Sequence, residues 1–249
     1  MIRYVFLLIL CIFSQNILAE PAVSYDLNIH DNEHILTEKT ANALSKKEKI
    51  SRESAVKIIT ESGHGSGTYI KFQDKYLILT AAHVVSDVPM GKNIIIVAPG
   101  GEIKKGNIVY LDHQSDISLI LLKSKMKTRK FSKYDPDYKT KIIPGVGTKT
   151  VYSGYPAYHS LLTIRGSVAG YEVDEFGKRV IIINTFGWFG SSGSGVFSEN
   201  GKLIGILYGV SVSRYQVLDN VIWVSPIGNI DNYILIKNIC AISSARFCP

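Results

Sequence analysis

Gly190-Ser191-Ser192-Gly193-Ser194-Gly195-Val196 is a run of small residues that ends where an apolar segment begins. The pattern G-x-S-G-S-G predicts a tight turn with an exposed serine hydroxyl, because glycine adopts backbone conformations that other residues avoid. In such a turn the backbone N–H and the hydroxyl of the serine point toward the same region in front of the turn. An attacking oxygen beside amide donors is what acyl transfer by a serine nucleophile requires.

Two upstream segments strengthen this interpretation. The stretch Thr80-Ala81-Ala82-His83-Val84-Val85 places a histidine directly after the apolar run 76–79. The small alanines allow a short turn behind the imidazole, which suits His83 as a general base. Asp116 stands at the head of the apolar run 117–122, where a carboxylate is partly buried and faces the histidine. Asp112 lies further into the preceding turn, and we interpret it as a surface residue.

Three segments in the order His, Asp, Ser resemble the trypsin-like serine proteases, and within them the bacterial branch that includes the glutamyl endopeptidases and the protease domain of the HtrA family. Three further segments carry the resemblance. Ser66-Gly67-Thr68-Tyr69-Ile70 is similar to the G-S-G-x-x-I strand of that branch, Gly154-Tyr155-Pro156 to its G-Y-P, and Gly201-Lys202-Leu203-Ile204-Gly205-Ile206 to its G-x-L-I-G-I.

The resemblance implies a catalytic triad of His83 as the general base, Asp116 as the acceptor of the Nδ1 proton, and Ser192 as the nucleophile. Ser191 and Ser194 compete for the last role, and the third position of G-x-S-G favours Ser192. The oxyanion donors are then the backbone N–H groups of Gly190 and Ser192. This mechanism uses no metal and no cofactor.

Short apolar runs separated by turn residues continue from residue 54 almost to the C-terminus, which is typical of all-β barrels or sandwiches. Two sets of six runs match the two six-stranded Greek-key β-barrels (chymotrypsin-like) that the resemblance implies. The predicted strands are 55–60, 66–72, 76–80, 93–98, 104–111 and 117–122, then 149–153, 161–171, 178–185, 195–198, 202–208 and 217–224. We expect a C-terminal helix over 229–239, packed on the second barrel.

The chain begins with features of a secretory signal. Arg3 precedes an unbroken apolar run from Tyr4 to Phe13, and Ala19 is a small residue suited to cleavage. The predicted organisation is a signal peptide (1–19), an N-terminal extension or pro-segment (20–53) and a trypsin-like peptidase domain (54–249). Within that domain we expect barrel one at about 54–125, barrel two at about 142–225 and the helix at about 229–239.

The cysteines and the charge agree with an exported protein. Removal of residues 1–19 leaves Cys240 and Cys248, which predict a disulfide in an oxidising compartment, with two free thiols as the alternative. The net charge is +7, with one basic cluster at residues 123–133. No aromatic or glycine-rich nucleic-acid motif accompanies that cluster, so we interpret it as a solvated loop and expect no nucleic-acid partner.

Residues flanking the serine turn should form the specificity pocket. They are Phe186, Trp188, Leu207, Tyr208 and Gly209. Because these residues supply no acid, we expect an apolar substrate side chain to bind here in preference to lysine, arginine or glutamate. The glutamyl endopeptidases have a histidine where Leu207 stands, which argues against glutamate specificity.

The sequence therefore predicts a secreted or periplasmic serine endopeptidase that acts on protein or peptide substrates, with no stable membrane insertion after signal cleavage. Two alternatives remain. One is a non-catalytic binding module on the same fold. The other is an extracytoplasmic quality-control chaperone or protease, although no length remains for a PDZ domain. The oligomeric state is open.

Overall fold

The structure is a computed structural model that describes residues 43–89, 91–134, 143–213, 216–243 and 248. The predicted signal peptide and residues 20–42 of the predicted extension lie outside these ranges. No helix among the described residues has the length and apolar character needed to cross a membrane. Most of the described chain is β-structure arranged around two barrels.

The first barrel is built from six strands whose buried side chains are mainly apolar. They are β1 (Ala55–Thr60), β2 (Gly63–Phe72), β3 (Lys75–Thr80), β4 (Ile94–Val97), β5 (Ile103–Asp112) and β6 (Ile117–Leu122). The neighbours run β1-β4-β5-β6-β3-β2, and β2 pairs again with β1 to close the barrel. A short β7 (Ser132–Lys133) adds to β2 in parallel.

The second barrel is also closed, in the order β10-β13-β12-β11-β8-β9. Its strands are β8 (Lys149–Gly154), β9 (Leu162–Val173), β10 (Arg179–Asn184), β11 (Gly195–Ser198), β12 (Leu203–Ser213) and β13 (Gln216–Pro226). The prediction of two six-stranded antiparallel barrels is confirmed. β12 and β13 extend further than predicted, because the extra residues form a hairpin with exposed Val212 and Val217 and so lack the apolar run of a core strand.

A shared core joins the barrels. It combines Phe72, Leu77 and Leu119 of the first barrel with Phe197 and Ile206 of the second, all 1% exposed or less. Because one continuous apolar cluster contains strands from both barrels, we expect the two to hold a fixed orientation.

The C-terminal helix α2 (Asn232–Ile242) starts later than predicted, because Asp231 caps it by accepting bonds from the amides of Tyr233 and Ile234. Our expectation that it packs on the second barrel was wrong. Asn238 Nδ2 donates to the Val109 carbonyl of β5 at 2.9 Å, so the helix lies against the first barrel. The predicted disulfide is present, and joins Cys240 of α2 to Cys248.

A seven-residue helix, α1 (Glu48–Ser54), precedes the first strand and contacts both barrels. Arg52 is 4% exposed. Its guanidinium donates from Nη1 to the Leu161 carbonyl at 3.1 Å and to Thr163 Oγ1 at 3.0 Å. Lys130 binds Glu53 through its backbone N–H and its ammonium group. The helix is therefore integrated into the interface between the barrels.

Candidate active site

His83 opens a single 3₁₀ turn (His83–Val85) directly after β3, and Asp116 directly precedes β6. β3 and β6 are paired neighbours, so their ends bring the two residues together. The Asp116 carboxylate accepts from the His83 backbone N–H at 2.8 Å through Oδ1, and Oδ2 lies 2.6 Å from His83 Nδ1. One carboxylate thus fixes both the turn and the plane of the imidazole.

This contact also selects the tautomer. A carboxylate only accepts, so His83 carries a proton on Nδ1 and presents Nε2 as the acceptor. The His83 side chain is 49% exposed and that of Asp116 is 19% exposed. A proton acceptor at the surface, oriented by a less exposed carboxylate, is the arrangement a general base needs.

The serine run forms a turn between β10 and β11 in which Gly190 has φ +89° and Gly193 has φ +88°. Both are left-handed values that favour glycine. Ser191 and Ser194 are 0% exposed, whereas Ser192 is partly exposed. Of the three competing hydroxyls, Ser192 is the one that a substrate can reach.

The amide directions in this turn follow from bonds made on the far side of each peptide. In a trans peptide the C=O and N–H point opposite ways. The Phe189 carbonyl accepts from Ala157 N at 2.7 Å, so Gly190 N–H points away from Ala157. The Ser191 carbonyl accepts from Ser194 N at 3.0 Å, so the Ser192 N–H points away from Ser194. Within the described residues, neither amide has a hydrogen-bond partner.

The first barrel carries side chains that hold the serine turn. Ser66 N donates to the Ser192 carbonyl at 2.8 Å, and Ser66 Oγ donates to the Gly190 carbonyl at 2.6 Å. Thr68 Oγ1 accepts from Gly195 N at 2.7 Å. Ser66 and Thr68 both lie on β2, so these bonds fix the position of the serine turn relative to β2. Because β2 pairs with β3, the turn is also fixed relative to the strand that leads to His83.

Gly65 brings the serine turn close to the histidine turn. A Cβ built on Gly65 would lie 2.5 Å from Val84 Cγ1 and 3.3 Å from the Ser192 carbonyl oxygen. Both neighbours approach the same glycine, and Val84 follows His83 directly. The structure therefore pairs His83 with Asp116 and brings the turn that carries Ser192 close to Val84, the neighbour of His83.

The predicted specificity residues occupy different environments. Phe186 and Trp188 are 43% and 39% exposed beside the turn. The Phe186 carbonyl accepts from Tyr152 Oη at 2.6 Å, which anchors this segment to the second barrel. The segment 185–188 thus presents two exposed aromatic side chains shortly before the serine turn in the chain.

Leu207 differs from the prediction in how it contributes. Its side chain is 2% exposed and belongs to the core of the second barrel. Its backbone accepts from Gly193 N at 2.7 Å and donates to the Ser194 carbonyl at 2.9 Å. Leu207 therefore supports the serine turn through its main chain, and its side chain does not face the solvent.

Tyr208 and Gly209 follow on β12, where the pairing with β13 is irregular. The Tyr208 ring lies 6.1 Å from that of Trp223. Burial raises the pKa of Tyr208, and the negative charges of Asp174, Asp116 and Glu172 act in the same direction. Tyr208 is therefore a neutral, half-buried phenol within the electrostatic reach of Asp116.

Sequence reasoning missed three contributors. The sequence shows Ser66 only as part of a strand motif, although its hydroxyl donates to the Gly190 carbonyl in the serine turn. Phe189 is 79% exposed directly before Gly190. The carbonyl of Asp219, an exposed residue, accepts from Gly187 N at 2.8 Å, which places an acid beside the aromatic segment. Ser66 and Gly190 are 124 positions apart, so a local sequence pattern could not reveal the bond between them.

Two closed antiparallel barrels, with a His–Asp pair on one and a glycine-rich serine turn on the other, define the trypsin-like peptidase class. Residues 65–206 match the family model described as Trypsin-like peptidase domain. The match covers more than half of the chain, and the chain belongs to this family. A comparison with curated proteins gives no significant match.

Two solved structures share the fold. The inactive form of a serine-to-alanine mutant of Rv3671c from M. tuberculosis H37Rv aligns with a TM-score of 0.61 at 17% identity, over 83% of this chain and 96% of that one. The serine endoprotease from Yersinia pestis aligns with a TM-score of 0.56 at 20% identity, over 72% of this chain and 61% of that one. At these identities the likeness concerns the fold.

Proposed function

We propose that the protein is an exported serine endopeptidase that cleaves peptide bonds through the triad His83, Asp116 and Ser192. The observation that carries the proposal is the His83–Asp116 pair, which is joined by two contacts. It is supported by a partly exposed Ser192 in a turn that approaches Val84 at Gly65. Membership of the trypsin-like peptidase family supports protein or peptide substrates.

The chemistry follows from the geometry. As Ser192 Oγ attacks the peptide carbonyl, His83 Nε2 takes the hydroxyl proton and Asp116 stabilises the resulting imidazolium. The amides of Gly190 and Ser192 bind the oxyanion, and preorganised donors of this kind are each worth about 10²–10³ in kcat. His83 then protonates the leaving amine, and water hydrolyses the acyl-enzyme.

The test is to compare Ser192→Ala with Ser194→Ala. Ser192→Ala should lower kcat by on the order of a millionfold, as loss of a triad nucleophile does, while the fold is retained. Ser194 is the matched control, because its hydroxyl is buried and has no hydrogen-bond partner among the described residues. Hydrolysis of a casein-type substrate and labelling by a fluorophosphonate probe are measured. An active Ser192→Ala variant would exclude Ser192 as the nucleophile.

The alternative of a non-catalytic binding module predicts no turnover and no labelling in the wild-type chain, so the same experiment separates the two. Export to the periplasm or the medium is supported by the apolar N-terminal run and by the disulfide. Cell fractionation followed by N-terminal sequencing tests it. A mature protein that still begins at Met1 in the cytoplasm would contradict this part of the proposal.

A further inference from the structure

The direction of the Gly190 amide depends on a turn of the second barrel. Gly190 N–H points outward while the Phe189 carbonyl is bonded to Ala157 N at 2.7 Å. If that bond breaks, the Phe189–Gly190 peptide can rotate and place a carbonyl where the N–H stood. An acceptor at that point repels an oxyanion, so the position of Ala157 controls one of the two oxyanion donors.

Ala157 itself lies in an unfavourable conformation. It has φ 48° and ψ 40° inside the turn Pro156–Tyr158, a left-handed geometry that residues with a side chain rarely adopt. Such a conformation persists where the surrounding structure holds it in place. The contacts that hold this turn are therefore informative about the site.

Two side chains of β2 anchor the preceding residue, Tyr155. Ser66 Oγ accepts from Tyr155 N at 2.9 Å, and His64 Nε2 lies 3.1 Å from the Tyr155 carbonyl oxygen. A carbonyl only accepts, so His64 carries a proton on Nε2 and donates it. A Cβ built on Gly190 would lie 2.6 Å from His64 Nε2 and would also strike the Tyr155 carbonyl. The imidazole, the carbonyl and Gly190 are thus in direct contact.

We infer that His64 is a positioning residue of the oxyanion hole. It holds the turn from Tyr155 to Ala157 so that Ala157 keeps the Phe189 carbonyl turned inward and the Gly190 amide turned toward the substrate. His64 acts through this turn and touches no reacting atom. The inference rests on the proposed peptidase function and adds to it a second histidine besides His83 of the triad.

The environment of His64 agrees with a neutral donor. Burial lowers the pKa of His64, the hydrogen bond to the Tyr155 carbonyl opposes that shift, and the positive charge of Lys57 adds to it. Lys57 also lies over the Tyr155 ring, 6.0 Å from its centroid. Burial and the charge of Lys57 therefore both favour the uncharged imidazole between β1 and the turn that it supports.

The kinetic test compares three substitutions. His64→Leu removes the donor at similar size, and His64→Gln keeps an amide donor of similar reach. His159→Leu is the matched control, because His159 is exposed at the end of the same turn and its side chain makes no hydrogen bond among the described residues. We expect kcat to fall at least tenfold with little change in KM for His64→Leu, and to stay within about threefold for the other two, because an oxyanion donor acts in the transition state.

A second readout does not depend on turnover. In the Ser192→Ala background, the amide resonances of Gly190 and Ala157 should shift or broaden in His64→Leu and remain in place in His64→Gln. If wild-type protein shows no peptidase activity, the proposed function fails while this measurement still decides the positioning role. Unchanged kcat in His64→Leu, or unchanged resonances, would overturn the inference. If His64→Leu does not fold, His64→Asn replaces it, since its amide is too short to reach the Tyr155 carbonyl.

Discussion

Gly190 shows how strongly single residues constrain this site. Its φ of +89° disfavours a side chain, and a Cβ would meet the Tyr155 carbonyl and His64. The sequence indicated that glycine is needed here, because G-x-S-G requires an unusual turn. It could not indicate what surrounds Gly190, since Tyr155 and His64 are distant in the chain.

We therefore expect Gly190→Ala to impair both activity and stability. Strain and overlap should cost about 1–3 kcal/mol of unfolding free energy, and a misdirected amide should lower kcat by roughly a hundredfold or more. Gly177→Ala is the control, because Gly177 also has positive φ (+72°) but faces open space. Urea denaturation and steady-state kinetics measure the effects. Equal losses of kcat in both variants would show that strain alone is responsible.

At the scale of the loop 185–189, three exposed aromatic side chains directly precede the serine turn. Phe186, Trp188 and Phe189 offer no charge partner, and burial of an unpaired charge is costly. We expect apolar side chains to be preferred on the acyl side of the cleaved bond. A proteome-derived peptide library digested with the purified protein gives the profile. Cleavage mainly after lysine or arginine would contradict this, and its loss in Asp219→Asn would identify Asp219 as the cause.

The end of helix α2 is the element that the disulfide affects. Cys240 and Cys248 are eight residues apart, and so short a loop contributes at most roughly 2–3 kcal/mol. The bridge lies after the last barrel strand, so the reduced protein should keep its activity while its tail becomes sensitive to proteases. Intact-mass analysis with and without reduction and alkylation tests this. Two alkylatable thiols in protein purified from an oxidising compartment would show that no bridge forms there.

For the whole molecule, what the sequence could predict depended on how local the signal was. Strand runs such as 117–122 and the triad motifs are contiguous, so periodicity and resemblance located both barrels. The packing of α2 against β5 and the role of His64 depend on contacts between distant segments. An apolar helix face at Leu235 and Ile239 shows that the helix is buried, but the pattern does not identify which barrel covers it.

Helix α1 illustrates the same limit, because its short polar sequence gave no sign that it joins the barrels. Glu48 extends the connection to β9 by pairing with Arg165. The Arg165 guanidinium lowers the pKa of Glu48 from 4.5 to about 2, although partial burial opposes the shift. A carboxyl group whose pKa is lower in the folded than in the unfolded protein stabilises the fold at every pH above its unfolded-state pKa. This contribution is therefore complete above about pH 4.5 and is lost as the pH falls toward 2.

The stronger link is Arg52, whose guanidinium is buried and donates to Leu161 and Thr163 of the second barrel. We expect Arg52→Met to lower the free energy of unfolding by about 2–4 kcal/mol, because it removes two charge-assisted hydrogen bonds from the interface between the barrels. Lys49→Met is the control on the same helix. Urea denaturation measures the change. If the two variants are equally stable, α1 contacts the barrels without stabilising their association. If Arg52→Met alone is destabilised, any proteolytic processing of the N-terminus must leave this helix intact.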